Sequence, residues 1–392
     1  MITSELAANL DKAIVTAVPD FIEVVTSRNP AVKRDAGIPA TTRDIRTIRQ
    51  FVDYANKLPT QLAQVEQLIG YKETHIEGLS PFEIKKLYTS IKDSVAYWPA
   101  VETKMKEVAT SLLVTSENLE EYGQHIIAFV KKIEGYEDAQ LTLGDITNKE
   151  LAGLPDLPLP TAGAAKIPVL LSLVGDIVDT IEEQHEKTTR MKALFTELKS
   201  ELRELEYDTG IKLKLSSPTQ PDGRLDELVE RIQTVNTLIE EEARAYDKFT
   251  TYTWVGAWWG PVGYGISYSI FGDDASEARD KLESLRKEKR ELLDNQRFTN
   301  HVMKSMGLLQ TDLQNLLLRL EDTTASTAHL ESLWSLILEY IEQSKGQLSK
   351  SNSATLLHSF VSRLNVMIKN WVLIRPDAQN LLNALDDAIN DQ

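Results

Sequence analysis

Apolar residues along this 392-residue chain recur mostly at spacings of three and four, the period of a helix with one buried face. Alternation at period two is confined to two short stretches. Residues 4–28 read as one amphipathic helix, bent or ended near Pro19. Asn29-Pro30 and Gly37-Ile38-Pro39 punctuate a loop. Thr41 or Thr42 then caps a helix reaching about Tyr54 or Lys57, with Ile45, Ile48, Phe51 and Val52 on one face. Pro59 interrupts it, and residues 61–71 add a further turn or two. Ser80-Pro81-Phe82-Glu83 is a helix start: Ser at the cap, Pro in the first position, Glu three residues after the cap. From there the helical period runs to about Gly135, with a kink expected at Pro99.

Residues 136–168 carry Gly144, Gly153, Pro155, Pro158, Pro160, Gly163 and Pro168, so they read as a long loop with a short helix near Thr147–Ala152. A helix from about Val169 to Tyr207 follows, opening on the almost wholly apolar run Ile167–Val178. Ile211, Leu213 and Leu215 alternate with Lys212 and Lys214, the pattern of a short strand. Pro218, Pro221 and Gly223 mark a second loop. Leu225, Leu228, Ile232, Val235 and Ile239, then Tyr246 and Phe249, keep a coiled-coil register broken only at Glu242.

Asp274-x-x-Glu277 caps a second long helix. It carries Leu282, Leu285 and Leu292, then Val302, Met306, Leu309, Leu313, Leu316 and Leu320. No Pro or Gly interrupts Ala275–Ser305, which predicts one continuous helix of about 60–70 Å. Two or three more helices are expected, at about Ser326–Gln347, Ser353–Val372 and Pro376–Ala388. The fold class is all-α: an elongated bundle of long coiled-coil helices with an apolar hairpin at one end.

The hairpin is residues 249–272, FTTYTWVGAWWGPVGYGISYSIFG, 24 positions without a charge between densely charged flanks. Three of the six tryptophans lie here: Trp254, Trp258 and Trp259. With Phe249, Tyr252, Val255, Pro261, Val262, Tyr264, Ile266, Tyr268, Ile270 and Phe271 they form the candidate membrane-interacting set. Gly256, Gly260, Gly263, Gly265 and Gly272 are the candidate hinges. Gly260-Pro261 breaks the middle, so each arm is too short to cross a bilayer as a helix. Val262–Ile270 alternates like a strand, whereas Gly256-x-x-x-Gly260 is a helix-packing spacing. A β-tongue and a pair of short helices both remain open. Trp and Tyr favour the headgroup boundary, so the composition fits a wedge dipping into the interface. A buried cap on the bundle, or a docking knob for a partner protein, is the alternative.

The net charge of −16 argues against nucleic acid and supplies no attraction to anionic lipid. With no cysteine, disulfides and thiolate chemistry are excluded. The N-terminus lacks a basic n-region and carries Glu5 and Asp11, so it does not read as a secretory signal. The six histidines are scattered, and Glu182-x-x-His185 has no second copy to complete a di-metal site. No phosphate-binding loop, zinc-protease motif or nucleophile elbow occurs. The chain reads as a non-enzyme needing no cofactor and no metal.

Long helices that deliver one apolar foot, carrying Trp254-Val255-Gly256-Ala257-Trp258-Trp259-Gly260-Pro261, resemble the cytolysin A superfamily of α-helical pore-forming toxins. More closely the chain resembles the A component of the α-xenorhabdolysin (Xax/Yax) binary toxins. The resemblance covers most of the chain: its length, its order of helices, and a foot placed after the middle. It implies a secreted protein, soluble at first and then at the target-cell membrane. It also implies docking on membrane lipid, a second helical subunit (B component) that lines the pore, and self-association in a ring. The foot residues it carries over are Trp254, Trp258, Trp259, Pro261, Tyr264, Ile266 and Tyr268. Three regions are expected: a helical bundle 1–248, the membrane-interacting foot 249–274, and the rest of the bundle 275–392. Unlike cytolysin A, the N-terminal helix is interrupted by Pro19, which weighs against a pore lined by that helix.

Overall fold

The computed structural model describes residues 40–146, 153–216, 230–232, 234–243, 273–294, 301–350 and 352–390. Its helices are α1 Thr42–Asn56, α2 Leu62–Ile69, α3 Pro81–Val95, α4 Trp98–Val130, α5 Tyr136–Leu143, α6 Thr161–Ala164, α7 Ile167–Ser216, α8 Asp273–Leu293, α9 His301–Leu348, α10 Ala354–Trp371 and α11 Arg375–Asn390. Residues 230–232 and 234–243 are also helical. Among the described residues the β-structure is one isolated bridge, Pro158 to Ser353.

Local chemistry sets several of these boundaries. Thr41 caps α1 in a reciprocal box: its hydroxyl accepts from the Asp44 amide at 3.1 Å, and the Asp44 carboxylate accepts from the Thr41 amide at 2.9 Å. Ser80 and Glu83 build the same box at α3, with Pro81 in the first turn. Gly70 closes α2 at φ +84°, a left-handed position that a β-carbon disfavours. The expected kink near Pro99 is a full break: α3 ends at Val95, and Pro99 sits in the first turn of α4, where its missing N–H costs nothing.

The stretch 136–168 is more ordered than its Pro and Gly content predicted. Tyr136–Leu143 is helical, and Tyr136 is buried with its hydroxyl 3.2 Å from His358 Nδ1. Pro155–Leu159 is stitched to the start of α10: the Leu159 amide donates to Asn352 O at 2.6 Å and the Ala354 amide to Leu157 O at 2.7 Å. The short helix expected at 147–152 lies outside the described residues, as does the N-terminal helix 4–28.

α7 runs 50 residues, about 75 Å. The strand expected at 211–215 is instead its last turn. Leu213 enters the core, and Lys212, also buried, reaches Gly78 O at 2.9 Å. From Ile167 to Leu202 a buried seam of Ile167, Leu170, Val174, Ile177, Ile181, Gln184, Thr188, Met191, Phe195, Leu198 and Leu202 alternates by three and four. α9 lies antiparallel to it. Trp334 donates to Thr188 at 3.2 Å, Lys199 meets Glu321 at 2.8 Å, and Gln314 donates to Glu206 at 2.8 Å, so α7 numbers rise as α9 numbers fall.

The single helix expected from Ala275 past Ser305 is two helices. α8 turns back on α9, as the pairs Arg279–Asp322, Arg319–Glu283, Arg286–Asn315, Lys289–Gln310 and Arg290–Asp312 show. The absence of Pro and Gly permits a long helix without requiring one; folding back buries Leu282 and Leu293. α9 then passes through Ser326, where a new helix start was expected. The run Asp322–Ala328 is buried, and Thr323, Thr324 and Thr327 satisfy their hydroxyls on the carbonyl four residues before.

The core is continuous through α1–α5, α7 and α9–α11, with Trp334 and Trp371 rings 4.4 Å apart near its centre. Arg49 and the Trp98 indole both donate to Glu102 at 2.5 Å, tying α1 to α4. Gly135, between α4 and α5, has φ +88°, and a β-carbon there would lie 2.5 Å from Pro160 Cδ. Gly135→Ala is therefore expected to destabilise the protein by about 1–3 kcal/mol, read from urea unfolding. A change within a few tenths of a kcal/mol would contradict that account.

Candidate membrane-docking site

Every candidate foot residue lies outside the described residues: Phe249, Tyr252, Trp254, Val255, Trp258, Trp259, Pro261, Val262, Tyr264, Ile266, Tyr268, Ile270 and Phe271, with Gly256, Gly260, Gly263, Gly265 and Gly272. What the structure describes is the pair of arms on either side of that stretch. The first arm is helical at 230–232 and 234–243, and the second is α8.

The arms pair with each other in antiparallel fashion. Arg231 pairs with Glu288 near one end, and Lys281 with Glu242 at 2.5 Å near the other. Ile232, Val235 and Ile239 are buried, as the heptad reading expected; Leu225, Leu228, Tyr246 and Phe249 of that seam lie outside the described residues. Glu242, the break in the seam, is the residue that pairs with Lys281. The arms join the rod in two places: Ile232 and Leu293 enter the main core, and Val235, Ile239, Ala278, Leu282 and Leu318 form a small separate apolar cluster.

The rest of that junction is polar, which the sequence reading missed. Leu285 and Leu292 were expected in the seam of α8, yet both are only half-buried. From Arg279 onward the buried positions are Arg279, Leu282, Arg286, Lys289 and Leu293, again spaced by three and four. Three cations thus hold core positions of a coiled coil. The signal was present in the spacing, but a reading that followed leucines picked the neighbouring register.

These cations bear the cost of burial differently. Arg279 faces the buried Asp322 at 3.4 Å. Lys289 is fully buried, and its ammonium donates to Gln310 Oε1 at 2.9 Å. Burial pushes its pKa down to about 7; the Glu206 carboxylate opposes the shift, and the Arg286 charge adds to it. Burial likewise lowers Arg286 to about 10.

One described helix, Thr161–Ser216 when the α6 turn is counted with α7, is long and apolar enough to cross a membrane. Its apolar start turns Ile167, Leu170, Val174 and Ile177 into the bundle, whereas Val169 is exposed, and 33% of the apolar window is buried. No cluster of His, Cys, Asp or Glu among the described residues could hold a metal.

No protein-family model matches the sequence. No curated protein matches it either. Solved structures do. YaxA from Yersinia enterocolitica is 24% identical, with 90% of this chain covering 98% of that one at a TM-score of 0.50. The Bacillus cereus HblL1 toxin component is 11% identical, with 97% of this chain covering 94% of that one at 0.50. XaxA from Xenorhabdus nematophila is 20% identical, with 90% covering 99% at 0.47. The chain has the all-α fold of YaxA and of the HblL1 toxin component.

The Lys289 shift carries a sign. The packed arm favours neutral Lys289, so the cost of its proton is borne in full below about pH 7 and fades as pH rises toward the ordinary 10.5. Stability is therefore expected to climb between pH 7 and 9 in thermal melts. Lys289→Met is expected to raise stability at pH 7 by about 1 kcal/mol or more and to flatten that slope. An unchanged slope would show that the ammonium is not the group responsible.

Proposed function

We propose that this protein is a component of a two-part α-helical pore-forming cytolysin. It is released as a soluble protein, docks on the target-cell membrane through the foot 249–272, and assembles in a ring with a second helical subunit that lines the pore. The observation that carries the reading is the foot itself: 24 uncharged residues with three tryptophans and a central Gly260-Pro261, held between two charged arms. The likeness of fold to YaxA and to a toxin component supports it.

The acidic chain gives no electrostatic pull toward anionic lipid, so ring-bearing side chains must supply the affinity. Trp258 and Trp259 stand beside the proposed turn, where a wedge first meets lipid. Gly256, Gly260, Gly263, Gly265 and Gly272 let the backbone bend as it enters. The regions 1–248, 249–274 and 275–392 then divide into bundle, foot and bundle.

Liposome flotation tests this. The double variant Trp258→Asp/Trp259→Asp is expected to keep its helical circular dichroism while the lipid-bound fraction falls roughly tenfold or more. Lysis with the partner subunit should fall with it. Normal flotation and lysis by the double variant would remove the foot from the mechanism. Failure of the native protein to float at any lipid composition would favour an adaptor whose aromatic hairpin binds protein.

A further inference from the structure

α7 carries an apolar stripe that no described residue covers. Tyr207, Ile211 and Leu215 follow one another at spacings of four, so they share one face of the helix. All three are exposed, Tyr207 by 70%. Tyr207 and Ile211 also form one wall of an open groove of about 580 Å³, whose other wall is Ile239 and Ala243 of the first arm. A tyrosine ring standing in water beside an apolar groove is the composition of a protein contact, where Tyr is enriched.

Charge decides what can cover this face. The whole chain carries −16, so two copies repel each other over most of their surface. The groove lining differs: the carboxylates Glu206, Glu240 and Glu321 are matched in number by Arg203, Lys214 and Arg286. Glu321 is held by Lys199 at 2.8 Å and Arg203 at 3.4 Å, and Glu206 accepts from the Gln310 and Gln314 amides at 3.0 and 2.8 Å. The lining therefore calls for no ionic partner, and two acidic copies meet here at little electrostatic cost. Size sets the strength. Tyr207 to Leu215 spans about 12 Å of helix. That is far short of the roughly 1,200 Å² of a stable interface, so the contact holds only where copies are crowded.

We propose that this face is a contact between two copies of this chain, with their stripes crossing and the Tyr207 ring of each entering the groove of the other. The membrane supplies the crowding, so the proposal rests on the docking reading above. Weakness in solution keeps the released protein monomeric, and confinement to a bilayer surface raises the effective concentration. In a two-fold contact the middle of a stripe meets its own counterpart, which places Ile211 at the crossing.

The chain has no cysteine, so single cysteines report the contact without background. Full-length Ile211→Cys is anchored by a terminal histidine tag to vesicles containing nickel-chelating lipid and mildly oxidised. It is expected to form a disulfide dimer roughly tenfold faster than Glu186→Cys, or more. Glu186 is an exposed position on the same helix, outside the stripe. Adding Tyr207→Glu to Ile211→Cys should bring the rate down to that of the control, with thermal melts confirming that the variant is folded. A rate for Ile211→Cys equal to the control, or one unmoved by Tyr207→Glu, overturns the proposal. The tag replaces the foot as anchor, so a failed crosslink speaks against this contact alone, and failed flotation of the untagged protein against the docking reading alone.

Discussion

The antiparallel contact between α7 and α9 is the constraint on which the remaining architecture depends. Two helices of 50 and 48 residues are far longer than the average globular helix, and neither could persist without a partner along its length. The α7 seam, alternating by three and four from Ile167 to Leu202, supplies that partner surface. Gln184 and Thr188 occupy two of its positions. Thr188 takes the Trp334 indole N–H, which fixes the register where apolar packing alone would permit sliding. Lys192–Glu331 and Lys199–Glu321 flank the seam and repeat the same alignment. α4, α10 and α11 then close over the half of the rod around Trp334 and Trp371.

The arms are attached on different terms. The main core is a continuous apolar mass, whereas α8 meets the rod with Arg279, Arg286 and Lys289 inward, around a cluster of five apolar residues. Buried ions contribute less than apolar residues of the same size, because desolvation offsets much of their attraction. The joint between α8 and the rod is therefore more polar than the main core, although Leu293 reaches that core. Arg286, whose buried Nε has no hydrogen-bond partner among the described residues, lies in the same interface, a consequence of placing cations at core positions.

Local signals were legible wherever the determining atoms are close in sequence. The boxes Thr41–Asp44 and Ser80–Glu83 start their helices as their residue types dictate, since cap and partner are three residues apart. Ile45, Ile48 and Phe51 are buried for the same reason: a helical face is a property of spacing. Reading failed where the outcome depends on distant chain. Ile211–Leu215 alternates like a strand, but with Leu213 in the core and Gly78 O ready to accept from Lys212, continuing the helix is the better solution. Pro155–Leu159 looks like free loop until the start of α10 supplies its hydrogen bonds.

By itself, the sequence determined an all-helical chain, most helix starts, and a charge-free aromatic stretch bounded by charged arms. These follow from backbone sterics, periodicity and transfer free energy, which act within a few residues. Only tertiary structure decided that α8 folds back on α9, and that Arg279, Arg286 and Lys289, rather than Leu285 and Leu292, face inward. A helix without Pro or Gly is equally stable straight or reversed at its end. The choice is made by which surface it can bury, and that surface is supplied by distant residues along α9, as the pairs Lys289–Gln310 and Arg279–Asp322 show.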